Sequence, residues 1–358
     1  MARRSYVVVV VLILAVALIF SILYINPSFN NSQKQNSRLQ EANMSISFTG
    51  DVMLGPRVGT ALAAGQNVFA DLKPMFEKSD LVVVNLEAPF TNSNQNWKQV
   101  IPFKANPQFA HYLKDNSIDV ATLANNHIMD YGPTGLHDTI TALKENNVSY
   151  VGAGENIDEA SQPFYYKVNN VTIAILSFYD NTTFPFDPTT QVQAATDSRP
   201  GYAPMNWDLI KKSIATARNN SDLVVVCFHY GVEYSLWHDE RQEEFSRKSI
   251  DEGADLIIGN HPHVTQEIEM YKGKLIFYSL GNTVFYDLTA GSPNNIIVEY
   301  KVTNGTAQAI IHPILVYNYA PHIMDDQSAN VFLKSIKDKS NINMTIENGL
   351  GIIDIGKL

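Results

Sequence analysis

Five short apolar runs in this chain each stop at a side chain able to bind a metal ion, and that repetition limits the fold more than any other feature. Ser45-Ile-Ser-Phe-Thr leads to Gly50-Asp51, Leu81-Val-Val-Val to Asn85-Leu-Glu87, and Ile118-Asp-Val-Ala-Thr-Leu-Ala to Asn125-Asn-His127. Leu223-Val-Val-Val-Cys-Phe leads to His229, and Asp255-Leu-Ile-Ile-Gly to Asn260-His-Pro-His263. The runs are brief and mostly β-branched, so they read as buried strands, joined by further runs over 171–177 and 275–279. Amphipathic segments over 107–115, 135–146, 207–219 and 240–253 read as helices; Leu136, Ile140 and Leu143 recur at helical spacing, with Pro133 just before the start. Strands alternating with helices predict an α/β fold. A hairpin of 295–302 with 307–316 is expected to turn at Asn304-Gly305, a favoured turn dipeptide. The stretch after Ala320 gives no clear pattern.

In α/β sheets, ligand sites form beyond the carboxyl ends of the strands, where several loops meet. Singly, each polar residue has an ordinary explanation. Asp51 could be a turn or cap residue, Glu87 a solvated loop acid, and His229 a hydrogen-bonded core histidine, while Asn125 and Asn126 could fill left-handed turn positions. All of these explanations would have to hold at once, so the residues predict one shared centre. Carboxylate and amide oxygens mixed with imidazoles suit a divalent transition metal, with Mn, Fe and Zn open. The His261-Pro-His263 pair is the sharpest local element. In extended backbone its two imidazoles project to opposite sides, so both reach metal only where the chain turns or where two ions flank it. Two cations a few ångströms apart would suit metal-assisted hydrolysis.

The amino terminus addresses location. Arg3 and Arg4 precede an uncharged apolar run from Tyr6 to about Ile25, long enough to cross a bilayer as a helix. The positive flank places the amino terminus inside and everything after Asn26 outside. A retained anchor is favoured over a cleaved signal peptide, because the run exceeds a usual signal core and no small-x-small site follows it. The organisation expected is a cytoplasmic tail over 1–5, a transmembrane anchor over 6–26, a polar linker over 27–43, a main domain over 44–320, and an extension over 321–358 packed on that domain. This makes the chain a single-pass protein of the cell membrane with its folded part extracytoplasmic. Asn-x-Ser/Thr sequons, for example at Asn147 and Asn219, add little in so Asn-rich a chain.

With 358 residues, 45% hydrophobic and 17% charged, the chain can bury a sizeable core. A net charge of −10 argues against a nucleic-acid partner, which draws on Lys and Arg. The single cysteine, Cys227, excludes an intrachain disulfide and reads as a buried small hydrophobe.

Six segments together resemble the CapA-type capsule (poly-gamma-glutamate) synthesis proteins. They are Gly50-Asp-Val-Met-Leu-Gly55, Val84-Asn-Leu-Glu-Ala-Pro89, Leu123-Ala-Asn-Asn-His127 with Asp130-Tyr-Gly132, His229-Tyr-Gly-Val-Glu233, Gly253 to His263, and Tyr278-Ser-Leu-Gly-Asn282. The resemblance covers about residues 44 to 300 in motif order. It implies the calcineurin-like metallophosphoesterase fold, a β-sandwich flanked by helices. It further implies that Asp51 and His263 bind a first metal, that Glu87 bridges, and that Asn126, His229 and His261 bind a second. His127 would be the general acid or transition-state stabiliser. Asn282 is similar to a family motif near the pocket and receives no role. The broader phosphoesterases carry Asp-x-His where this chain has Met53, so its first metal position lacks one imidazole.

Two functions follow as expectations. One is a surface hydrolase of capsule or polyglutamate synthesis, acting on a phosphoester or an anionic polymer beside membrane-embedded synthase or exporter subunits. The other is a non-catalytic partner of such a synthase, which Met53 motivates. A third reading, a small-molecule binding module, explains the fold but not the clustered ligands.

Overall fold

The computed structural model describes residues 38–97, 101–182, 193–285 and 292–358. The expected tail, anchor and most of the linker lie outside the described residues; among those described, no helix is long and apolar enough to cross a membrane.

The apolar runs form strands of two sheets. One runs in the order Met344–Glu347, Leu350–Lys357, Thr306–Tyr317, Asn294–Thr303, Asn43–Val52, Leu81–Leu86, Val120–Thr122 and Ser149–Val151. From Asn43–Val52 onward its pairings are parallel, and on the other side they are antiparallel. The second sheet runs Ile268–Tyr271, Lys274–Phe277, Leu256–Asn260, Leu223–His229, Val171–Tyr179 and Phe164–Val168, with a parallel centre.

Strand alternation sorts the side chains into three cores. Leu81 and Val83 pack with Leu223, Val225, Cys227, Leu256 and Ile258 between the sheets. Their neighbours Val82 and Val84 pack outward with Leu136, Ile140 and Leu143. Val224 and Val226 pack on the other outer face with Ile210, Ile214 and Phe245. The runs are apolar throughout because both of their faces are covered, as in sheets flanked by helices. The result is a mixed α/β fold in which two sheets share an inner core and helices cover the outside. Among the described residues, the buried members of these three cores run from Leu39 to Ile353.

The helices Gly132–Glu145, Trp207–Asn220 and Glu240–Glu252 fall where the periodicity puts them. The Asn206 side chain caps the second of these, and Asp239 with Gln242 forms a capping box on the third. The segment 107–115, expected as one helix, divides into a 3-10 turn at Pro107–Ala110 and a single α turn at His111–Asp115. The hairpin is as expected: Thr303 pairs with Thr306 across Asn304 and Gly305, whose φ values of 49° and 72° match the mirror-image turn that right-twisted strands prefer. The illegible stretch after Ala320 forms a short strand, the helix Asp326–Lys339 and a terminal hairpin added to the antiparallel edge of the first sheet.

Candidate metal centre

Parallel register brings the strand ends together. Asp51 pairs with Asn85 in the first sheet, and His229 with Asn260 in the second. The sheets meet here, where Asn260 Nδ2 donates to Thr49 O at 3.5 Å and the His261 N–H donates to Asp51 Oδ2 at 3.3 Å. The Asp51 N–H donates to Gly281 O at 2.9 Å, a close approach that only glycine at position 50 permits, since a Cβ there would lie 2.0 Å from the same oxygen.

All seven expected site residues are buried, from 0% exposed at Asp51, Glu87 and His261 to 6% at His127. Six of them converge. Asn126 Oδ1 lies 2.8 Å, His261 Nδ1 3.1 Å and Glu87 Oε1 3.5 Å from His229 Nε2. On the other side, His263 Nδ1 lies 3.3 Å from Asp51 Oδ2, and His263 Nε2 lies 3.9 Å from Glu87 Oε1. Two groups therefore offer ligand atoms mutually within 4.8 Å, Glu87 with His229 and His261, and Asp51 with Glu87 and His263; Glu87 belongs to both.

The His261-Pro-His263 pair reaches the two groups because the chain turns. His261 has φ 100° and His263 φ 57°, both in the left-handed region, and their ring centroids are 6.1 Å apart. Each such conformation costs about 1–3 kcal/mol and persists only where surroundings impose it, most often at functional sites. Asn125 and Asn126 are not among the positive-φ residues. Instead Asn125 ties two ligand loops together, donating to Leu86 O at 2.8 Å and accepting from the His127 N–H at 3.1 Å.

Two buried carboxylates need a positive partner. Burial opposes protonation of His263, but the Glu87 and Asp51 carboxylates outweigh it and hold the imidazole up to about 10. The donors suit divalent cations: carboxylates, an amide oxygen and three imidazoles converge in two overlapping groups. Met53, two residues after Asp51, is fully buried in an apolar cluster with Ala88 and Phe285, against which Phe103 packs.

His127 stands in the adjoining loop. Its Nδ1 pairs with Asp130 Oδ2 at 2.7 Å, that oxygen also accepts from the Phe103 N–H at 2.6 Å, and the Phe103 ring lies 4.4 Å from the imidazole.

Three further residues were not assigned from sequence. Asn85 Nδ2 donates to Asp51 Oδ1 at 2.8 Å and lies 3.3 Å from His229 Nδ1, linking the two groups. Asn282 Oδ1 pairs with His263 Nδ1 at 2.9 Å. Asp130 orients His127. All three lie within the six quoted segments, and their position beside a ligand in the motif was the available signal.

The family described as bacterial capsule synthesis protein PGA_cap matches residues 45–287. The chain is 36% identical over 321 residues to the PGA biosynthesis protein CapA of Bacillus subtilis (strain 168), covering 87% of this chain and 82% of that one. It is 35% identical over 289 residues to the capsule biosynthesis protein CapA of Bacillus anthracis, covering 78% of this chain and 69% of that one. Among solved structures, the calcineurin-like phosphoesterase YfkN from Bacillus subtilis aligns over 79% of this chain and 88% of its own, at 13% identity and a TM-score of 0.40. The match over residues 45–287 and the identity to both CapA proteins show that this chain belongs to the bacterial capsule synthesis protein PGA_cap family.

Proposed function

We propose that this protein is a metal-dependent hydrolase of the phosphoesterase type, anchored by its amino-terminal apolar run and acting outside the membrane in capsule or polyglutamate synthesis. The observation that carries the reading is the place of Glu87 in both ligand groups. Asp51, Glu87 and His263 would hold one cation, and Glu87, Asn126, His229 and His261 the other. Cations held by these residues would polarise a phosphoryl oxygen and offset charge developing in the transition state. His127 gives a proton to the leaving oxygen through Nε2, while Asp130 holds Nδ1 and fixes the tautomer. The Phe103 and Phe285 rings, 4.4 Å from His127 and 4.6 Å from His263, restrict water beside both imidazoles.

The membrane run would keep this site close to synthase or exporter subunits embedded in the same membrane. The test is elemental analysis and hydrolysis of a generic aryl phosphate by residues 38–358. Metal-dependent turnover that disappears in His127→Ala supports the reading, and absence of both bound metal and turnover overturns it.

Met53 favours a second reading, a non-catalytic partner of the polymer synthase, because the apolar cluster occupies the place of one imidazole. Restoration of a capsule defect by full-length His127→Ala, with no restoration by a chain lacking the folded body, is its expected signature.

A further inference from the structure

Ten large apolar side chains are exposed among the described residues, and six of them fall in two short stretches: Trp97 and Ile101, and Val232, Tyr234, Leu236 and Trp237. Exposed apolar side chains scattered singly need no explanation, but a cluster beside a buried polar centre does. One residue of each stretch lies beside a loop of the metal centre. Trp97 donates its N–H to the carbonyl of Asp130, whose carboxylate holds His127. The Tyr234 ring lies 5.9 Å from that of His263, and the Tyr234 N–H donates to Pro262 O at 2.8 Å. Phe103 packs against His127 and Phe285 against His263, so apolar rings also lie beside both imidazoles.

The 231–237 loop is built to present these side chains. Gln266, fully buried, donates to the carbonyls of Ser235 and Trp237, each at 3.0 Å, and Lys339 Nζ donates to that of Leu236 at 3.5 Å. Tyr234 holds φ 63°, a conformation a bulky side chain adopts only under constraint. The backbone polar groups are tied inward, and Leu236 and Trp237 remain 55% and 58% exposed.

Of Arg241, Lys104 and Lys339, Arg241 is paired with a carboxylate, and the two lysines keep their charge on neutral acceptors. Arg241 is engaged by Asp180 at 2.5 Å, Lys104 by Ser93 O and Asn94, and Lys339 by the loop carbonyls. Glu233, within the loop, adds negative charge.

From Tyr234 beside His263 and the exposed side chains that follow it in the same tied loop, we infer that the centre takes a substrate with an anionic head, held at the metals, on an apolar body that lies along Tyr234, Leu236 and Trp237. The inference rests on the metal-site reading above and names the substrate class for it. The occupant is one amphiphilic molecule at a time, not a bilayer surface.

The experiment is calorimetric titration of manganese-loaded residues 38–358 with inorganic phosphate, then with alkylphosphonates from ethyl to octyl, whose carbon–phosphorus bond resists hydrolysis. Full burial of each added methylene tightens binding about fourfold; with the loop half-exposed, octyl should bind at least about tenfold tighter than ethyl. In Leu236→Ser/Trp237→Ser, whose side chains are exposed and outside the core, the dependence should flatten while phosphate affinity stays unchanged. Phosphate binding without chain-length dependence in the wild type overturns this inference and leaves the metal site standing. No phosphate binding overturns both. Binding of neutral phosphatidylcholine vesicles that the double variant loses overturns it in favour of docking on a bilayer.

Discussion

His229 Nε2 stands 3.1 Å from His261 Nδ1, with neither residue more than 2% exposed. A single proton can bridge those two nitrogens, but it leaves Asn126 Oδ1 and Glu87 Oε1 crowding the same point at 2.8 and 3.5 Å from His229. A cation held there would accept lone pairs from all four. The chain should therefore bind two manganese ions, His261→Ala one, and Glu87→Gln should weaken both by at least about tenfold. Elemental analysis after dialysis reads the stoichiometry, and two retained ions in both variants would contradict the shared role of Glu87.

Asn282 affects metal binding through His263. Its Oδ1 accepts from His263 Nδ1 at 2.9 Å, and its Nδ2 donates to the carbonyl of His263 at 3.4 Å, so ring and backbone are held together in a left-handed conformation. Partners that orient a ligand commonly account for about 10–100-fold in metal affinity. Asn282→Ala should weaken one manganese site by that factor and leave the other unchanged, which competition with a chelating dye resolves. Equal weakening of both sites would show a general loss of structure instead.

Met53 follows Asp51 at the spacing that returns to the same face of an extended chain. Met53→His should add an imidazole to the Asp51–His263 group and tighten its ion. The same change buries a polar ring beside Ala88 and Phe285, at a cost of about 1–3 kcal/mol in the metal-free protein. The expected pattern is a metal-free Tm lower by about 3 °C or more, recovered on adding manganese. A Tm unchanged by metal would show that the imidazole does not reach the ion.

Much of this was legible in the residues. Continuous runs such as Leu223–Phe228 announce strands covered on both faces, and the alternation of Val224 and Val225 between outer and inner cores explains why they carry no polar positions. The strand-end positions of Asp51, Glu87, Asn126, His229, His261 and His263 announced a common centre, because parallel strands deliver their ends to one side. A turn at His261-Pro-His263 was one of two readings left open by the residues, since positive φ at histidine has no local signature and is imposed by packing. The order after Ala320 was hidden because the terminal hairpin is half-exposed at a sheet edge and the helix Asp326–Lys339 buries only Ala329, Leu333 and Ile336. The groups that hold the ligands, Asn85, Asp130 and Asn282, act through geometry, which spacing alone does not give.

Beneath the apolar loop, His238 stacks on Tyr278 at 4.0 Å and pairs with Glu267 through Nδ1. Burial disfavours the charged imidazole, yet the Glu267 hydrogen bond and the Glu267 and Glu243 charges outweigh it and raise its pKa above 6.5. Burial also disfavours the Glu267 carboxylate, but its bond to His238 holds it below 4.5. The raised histidine contributes stability that is complete below its unfolded pKa and is lost as pH rises through the folded value. The lowered glutamate contributes stability that is complete above its unfolded pKa and is lost as pH falls through the folded value. Both are fully present only between the two unfolded values, about pH 4.5 to 6.5. His238→Phe keeps the stack and removes the pair, a loss of about 1 kcal/mol and about 2 °C in Tm. The Tm difference between wild type and variant should therefore be greatest in that window and shrink on both sides, and a difference independent of pH would leave only the stack to account for His238.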